Sequence, residues 1–354
     1  MTTTTQQLHA HELRDRLDRV PRFPLAAKPT PLEAQPRLSA ALGGPEILVK
    51  RDDLTGLVFG GNKVRELEYF IGDALAKGAD VFIAGGGVGQ SNHARQCAAA
   101  AIRAGIKPVL VLREGPTGQE PTGNLLITHL LGAEIHWTAD DPEIKDRGAM
   151  AARMDAVAED YRQRGQTPYV LYSSVHPLGA LGYVECALEL AEQLGEANGR
   201  PVKIYTTSMG VTWVGIALGL AALGISWPVI GVGWRPVFEG LPQQLAALAD
   251  GTAALLGIDN PFGPDDFKTL DFGGPVYGVP SAEALEAMVL CARTDALLVD
   301  PSYTAKGMAG MISQIREGVI GPAETVVFVH TGGLPALFAY GEDVLAASGI
   351  SPRP

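Results

Sequence analysis

Lys63 follows two consecutive glycines in Phe59-Gly60-Gly61-Asn62-Lys63-Val64-Arg65-Glu66-Leu67-Glu68, and Gln90-Ser91-Asn92-His93-Ala94-Arg95-Gln96 comes one strand later. Glycines reach backbone dihedrals closed to other residues and let the chain pass close to a flat ligand. The lysine opens a helix: Val64, Leu67, Phe70, Ile71 and Leu75 recur at three- and four-residue steps, with Arg65, Glu66, Glu68, Asp73 and Lys77 between them. Asn62 is the expected cap. A helix N-terminus disfavours an ammonium, and partial burial adds desolvation, so the expectation is a neutral amine able to hold an aldehyde as a Schiff base. Taken alone, a lysine after a glycine turn fits a surface position as well, so this chemistry needs a partner motif.

The second motif supplies one. Asp80 to Ala84 reads as a short buried strand, Gly85-Gly86-Gly87-Val88-Gly89 as a tight loop, and Ser91-Asn92 as the cap of an alanine-rich helix reaching about Ala104. Such junctions lie at the carboxyl ends of parallel strands, where first-turn amides bind anions such as a substrate carboxylate. Gly85, Gly87 and Gln90 miss the third glycine of a dinucleotide fingerprint, and no acidic residue is obvious at the expected distance. A third cluster, Thr206-Thr207-Ser208-Met209-Gly210-Val211-Thr212, joins hydroxyls to amides at a helix start, which suits a phosphate but also an ordinary strand-to-helix turn.

The elements that must position these residues alternate. Strand-like runs at 108–112, 134–137, 169–172, 202–206, 229–232 and 325–329 are separated by helical stretches such as 150–164, 181–194 and 211–223, a pattern of parallel sheets with crossover helices. The charge-free stretch 204–234 is long enough to cross a bilayer, but its glycines and Pro228 divide it into a strand-helix-strand unit. At 354 residues with 46% hydrophobic content, the chain suits two α/β lobes sharing a cleft. A net charge of −11 leaves no basic stripe for nucleic acid and disfavours anionic membranes. Cys97, Cys186 and Cys291 form neither a zinc pattern nor a disulfide framework, no spacing supports a metal site, and residues 1–20 carry no apolar signal region, so a cytoplasmic protein is expected.

Lys50-Arg51-Asp52-Asp53, Gly60-Gly61-Asn62-Lys63, Gln90-Ser91-Asn92-His93, Tyr277-Gly278-Val279-Pro280, Asp300-Pro301-Ser302-Tyr303-Thr304 with Lys306-Gly307-Met308, and His330-Thr331-Gly332-Gly333 occur in that order. In this the chain resembles the D-cysteine desulfhydrase and 1-aminocyclopropane-1-carboxylate deaminase family over nearly its whole length. The resemblance implies an α/β fold with two open twisted sheet domains of the tryptophan synthase β-like, fold type II class, with pyridoxal 5'-phosphate in the interdomain cleft. It implies a large cofactor domain from 1–63 and 166–354, a small domain over 64–165, and a homodimer. It also assigns roles: Lys63 holds the cofactor, with Asn62 beside it; Asn92 meets the ring's phenolic oxygen; and Ser208, Met209, Gly210, Val211 and Thr212 take the phosphate. Gln90, Ser91, Asn92 and His93 face a small amino-acid substrate, and Tyr277 and Tyr303 are placed to steer or protonate a leaving group. His93 and His330 receive no catalytic role.

Thr304 and Thr331 stand where the deaminase branch carries Glu and Leu, which favours the desulfhydrase branch: neutral hydroxyls near the pyridine nitrogen suit β-elimination from D-cysteine to pyruvate, hydrogen sulfide and ammonia. Trp213, where relatives have a smaller polar residue, is expected to reshape the pocket. It keeps open an L-cysteate sulfo-lyase or another substituted-alanine lyase, ahead of the cyclopropane deaminase. A noncatalytic pyridoxal phosphate or amino-acid binding protein is the alternative outside enzymes.

Overall fold

The computed structural model describes residues 7–114, 118–138, 147–195, 199–208, 210–233, 240–267, 269–272 and 278–349. Met209 and Tyr277, both expected in the site, lie outside these residues. The strands are β1 (Leu32–Ala34), β2 (Glu46–Lys50), β3 (Val81–Val88), β4 (Lys107–Arg113), β5 (Glu134–Thr138), β6 (Pro168–Leu171), β7 (Val202–Thr206), β8 (Val229–Gly233), β9 (Leu270–Asp271) and β10 (Thr325–Val329). They form a six-stranded sheet in the order β1-β2-β10-β7-β8-β9 and a four-stranded sheet in the order β5-β4-β3-β6. Every pairing is parallel except β1 with β2.

Strand order decides where a ligand can sit. The chain runs outward from β3 through β4 to β5 and then returns to the other side of β3 with β6; likewise it runs from β7 through β8 to β9 and returns beside β7 with β10. Open parallel sheets bind ligands at such reversals, beyond the carboxyl ends of the strands. The loops leaving β3, β7 and β10 are the ones that carry Ser91, Thr207 and Thr331. β6 pairs with β3 from Val81↔Pro168 to Ala84↔Leu171, so the smaller sheet extends past residue 165, where the small domain was expected to end.

Of the local expectations, the strand-helix-strand reading of the charge-free segment holds and the glycine loop changes. β3 continues through its glycines to Val88, with a register shift between Gly85 and Val88, so the expected loop is the irregular end of a strand. The charge-free segment is the β7-helix-β8 unit, and its helix Val211–Ala222 is buried against the helix Pro177–Leu194. A Cβ on Gly215 would lie 2.4 Å from the Ala180 carbonyl oxygen, and one on Gly219 would lie 2.6 Å from Ala187 Cβ, so glycine sets this close approach. Among the described residues no helix is long and apolar enough to cross a membrane. Trp213 is a core residue, 2% exposed, with its indole N–H donating to the Val229 carbonyl at 2.8 Å and its ring packed edge-on to Phe267. It packs in the core against β8. All three cysteines are buried free thiols.

The helix Lys63–Ala76 departs furthest from its amphipathic reading. Arg65, Glu66 and Glu68, expected on a polar face, are each no more than 1% exposed. Arg65 donates from Nε to Asp52 Oδ2 at 2.8 Å, from Nη1 to Glu189 Oε1 at 2.7 Å, and from Nη2 to Asp52, Glu189 and Thr30. Lys50 at the end of β2 donates to Glu189 Oε2 at 2.6 Å, and the Tyr183 hydroxyl donates to Asp52 at 2.9 Å. This cluster ties β2, the Lys63 helix and the Pro177 helix together beneath the cleft.

Candidate active site

Four of the sequence motifs converge on the Gly60-Gly61 turn. Both glycines have positive φ, 58° and 122°, and a Cβ on Gly61 would fall 2.6 Å from Gln96 Nε2 and 3.1 Å from the Thr331 carbonyl oxygen. The turn is held from one side by the helix Asn92–Arg103, where Arg95 Nη2 donates to the Gly60 carbonyl at 3.2 Å and the Gln96 amide donates to the same oxygen. From the other side the Asn62 N–H donates to the Thr331 carbonyl at 3.0 Å. Asn62 does not cap its helix; the side-chain amide donates instead to Thr212 Oγ1 at 3.3 Å, linking the lysine turn to the loop after β7.

Lys63 Nζ lies 2.9 and 3.1 Å from the two oxygens of Glu66 and 3.4 Å from Ser174 Oγ. Its side chain is 19% exposed, while that of Glu66 is 1% exposed. Burial pushes the Glu66 carboxyl up to about 7, against the pull of Lys63. The expectation built on the helix dipole and burial did not include the buried carboxyl that the fold places beside the lysine.

Ser91 caps the Asn92 helix, its Oγ accepting from the Ala94 N–H at 3.2 Å, as the sequence indicates. Gln90 is anchored at the start of the helix Gly123–Leu130: it donates to the Thr122 carbonyl at 2.9 Å and accepts from the Asn124 N–H at 2.9 Å. Asn92 Oδ1 lies 3.5 Å from Arg95 Nη2. Burial, with Lys63 adding to it, pushes the His93 imidazole down to about 3, which leaves it neutral, with Cys97 Sγ 3.5 Å from its ring. Arg95 is fully buried, Nε and Nη1 have no hydrogen-bond partner, and burial brings the guanidinium down to about 10.

At the loop after β7, Thr206 Oγ1 and Thr207 Oγ1 are buried without a hydrogen-bond partner, and Ser208 Oγ accepts from the Gly210 N–H at 3.2 Å. Gly307 makes room here, since a Cβ at that position would collide with Thr207 Oγ1. The first N–H groups of the Val211 helix have no intrahelical acceptor, so the junction is a cradle for an anion.

Asp300, close against Gly333, organises the start of the helix Thr304–Arg316. Its carboxylate accepts from the backbone N–H groups of Ser302, Tyr303 and Thr304 and from the Thr304 hydroxyl at 2.7 Å, while the Asp300 N–H donates to Thr304 Oγ1 at 2.8 Å. The Thr304 proton is therefore committed to Asp300. Thr331 lies at the end of β10 beside the lysine turn, and His330 is structural, with Nε2 2.8 Å from the Leu298 carbonyl and Nδ1 accepting from the Gly332 N–H.

An amine beside a cradle of orphaned hydroxyls and helix amides is a fitting donor set for an aldehyde carrying a phosphate. The family model described as pyridoxal-phosphate dependent enzyme matches residues 24–332. The chain belongs to this family. It is 41% identical over 337 residues to a 1-aminocyclopropane-1-carboxylate deaminase of Burkholderia vietnamiensis, covering 92% of this chain and 98% of that one. It is 42% identical over 335 residues to the enzyme of the same name from Burkholderia cenocepacia, covering 92% and 97%. The crystal structure of an ACC deaminase homologue superposes with a TM-score of 0.84 at 32% identity, covering 96% of this chain and 100% of that one. Maize serine racemase, at 19% identity and a TM-score of 0.62, shares the fold. The protein is therefore a pyridoxal-phosphate-dependent enzyme of fold type II, in the deaminase and desulfhydrase family.

Lys63 and Asn62 lie on one turn that the Thr331 carbonyl, Arg95 and Gln96 hold, with Thr212 tied to Asn62 and Asn92 reaching the turn through Arg95; Ser91 caps the helix that carries Arg95 and Gln96. Tyr303 precedes the helix Thr304–Arg316, its amide bound to Asp300. Sequence reasoning missed Glu66 and Ser174, while the two orphaned threonines fall in the cluster it singled out for a phosphate. Glu66 had a signal, three residues from Lys63 on the same helix face; Ser174 had none, because it arrives through β6.

Proposed function

We propose that the protein eliminates the β-substituent of a small amino acid, with D-cysteine the favoured substrate and pyruvate, hydrogen sulfide and ammonia the products. The observation that carries this reading is at Thr304 and Thr331: the Asp300 carboxylate, close against Gly333, is bound by four donors, which supports hydroxyls rather than a carboxylate as the groups offered to the cofactor there. When bound, pyridoxal phosphate supplies an aldehyde for a Schiff base and a ring that withdraws electrons from Cα. The protein's own residues do the rest. Lys63 holds the cofactor and, once displaced by the substrate amine, takes the Cα proton. Ser91 and the first amides of the Asn92 helix hold the substrate carboxylate, which fixes the Cα–H bond relative to the ring. Asn92 meets the phenolic oxygen, and Thr206 to Thr212 receive the phosphate. Thr331 takes the pyridine nitrogen in preference to Thr304, whose proton is engaged. Tyr303, with Tyr277, faces the leaving group. Sulfide is a good leaving group, so orientation outweighs acid assistance. The protein acts as a cytoplasmic homodimer on this reading.

Deamination of 1-aminocyclopropane-1-carboxylate is the second reading, favoured by the names of the relatives at 41% and 42% identity. Pyruvate release by cofactor-saturated protein given D-cysteine, with L-cysteine in parallel, is read against four-carbon oxo-acid release from the cyclopropane amino acid. D-selective pyruvate release supports elimination; oxo acid from the cyclopropane substrate alone overturns it in favour of the deaminase.

A further inference from the structure

Glu66 has no part in the chemistry described so far, yet both of its oxygens lie within 3.1 Å of Lys63 Nζ. The carboxyl is 1% exposed, and Asn62 Nδ2, at 3.4 Å, is its other polar neighbour. The other titratable groups that feel it are Cys97 on the Asn92 helix and Tyr183 on the Pro177 helix, while His93 feels Lys63; burial keeps the imidazole neutral and raises the thiol and the phenol. Lys63 is thus the one cation paired with Glu66 among the described residues. Once its nitrogen condenses with an aldehyde, a carboxylate there would be buried beside no fixed positive charge, a state that burial strongly disfavours.

We propose that Glu66 is the proton partner of Lys63, taking the ammonium proton when the amine condenses with a carbonyl. In that step the carbonyl oxygen leaves with two of the nitrogen's hydrogens as water, the C=N bond replaces C=O, and the third proton passes to a Glu66 oxygen. No net charge is created in the buried site. When a substrate amine later displaces the lysine, Lys63 is released as an uncharged amine able to accept the Cα proton, because Glu66 still holds the proton it took. The carboxyl's rise to about 7 suits this exchange near neutrality.

This inference rests on Lys63 as the Schiff-base lysine, and the experiment separates the two. Borohydride reduction of the holoenzyme followed by peptide mapping is expected to find the cofactor on Lys63; a tag elsewhere removes both claims. Difference infrared spectra on adding pyridoxal phosphate to the apoprotein, at slightly alkaline pH, are expected to gain a protonated-carboxyl band that Glu66→Gln lacks. The pH titration of cofactor absorbance is expected to move to lower pH by about one to three pH units in Glu66→Gln, and by less in Glu66→Asp. A tag on Lys63 with no such band, or with superimposable titrations, overturns the inference and leaves the lysine assignment standing.

Discussion

Two groups of buried polar side chains meet the Lys63 helix at its adjacent residues Arg65 and Glu66, and they are finished differently. In the cluster of Lys50, Asp52, Arg65 and Glu189, each nitrogen of Arg65 donates to an acceptor, and Lys50 donates to Thr30, Glu189 and Gln193. Around the cleft, Arg95 Nε and Nη1, Thr206 Oγ1 and Thr207 Oγ1 have no partner, and Glu66 answers to Lys63. Buried polar groups are normally satisfied, so a completed network marks architecture and a cluster of unfinished groups marks a place prepared for a ligand. The largest test of this contrast is Lys63→Ala. Loss of the base alone is expected to lower turnover about 10²- to 10⁴-fold, and loss of the covalent attachment adds to it. Thermal stability of the apoprotein should stay close to wild type at mildly acidic pH, where a protonated Glu66 needs no counter-charge; near-normal turnover would remove Lys63 from the chemistry.

The completed network should fail in the opposite way. Arg65→Met leaves Asp52 and Glu189 buried with fewer donors, and removing one partner of such a cluster costs about 3–5 kcal/mol. Urea unfolding of the apoprotein measures it. A midpoint within error of wild type would show that the cluster adds nothing to the fold, and the contrast between the two groups would collapse.

Glu66 gives the contrast a pH dependence. Its folded-state pKa is raised from 4.5 to about 7, so the folded apoprotein retains a proton that the unfolded chain releases. This contribution is fully present below pH 4.5 and is lost as pH rises through 7, by about 3 kcal/mol in all. Apoprotein unfolding midpoints compared between acidic and alkaline pH should therefore fall more steeply in wild type than in Glu66→Gln. Parallel curves would show that Glu66 titrates as an ordinary carboxylate.

Much of this was legible in the sequence, for reasons that particular residues make clear. Runs of apolar and β-branched residues gave β7 and β10 their ends, because both faces of a parallel strand are buried and water marks the boundaries. Ser91 was readable as a cap because a hydroxyl three residues before an orphaned N–H has one obvious partner. The end of β3 was not, since glycines lack the side chains that distinguish a strand from a turn. Arg65, Glu66 and Glu68 were misplaced on a wet face because periodicity separates polar from apolar but not water from a buried counter-charge. The burial of Trp213 was not legible, because a position beside the phosphate loop says nothing about whether a first-turn side chain points to the ligand or back into the core.

The smallest expected effect is also the most selective. Thr207 Oγ1 is buried, unpartnered and pressed against Gly307 at the mouth of the anion cradle. Replacing it with the nearly isosteric valine removes a hydroxyl that satisfies nothing in the apoprotein, so apoprotein stability should hold or rise. With a phosphate present the same hydroxyl becomes a donor to a charged acceptor, worth about 1.5–3 kcal/mol, so Thr207→Val should weaken pyridoxal phosphate binding roughly 10- to 100-fold. Equilibrium dialysis of the cofactor and melting of the apoprotein read the two effects separately. Reduced melting with unchanged cofactor affinity would make Thr207 a packing residue and would return the unfinished groups around the cleft to the architecture.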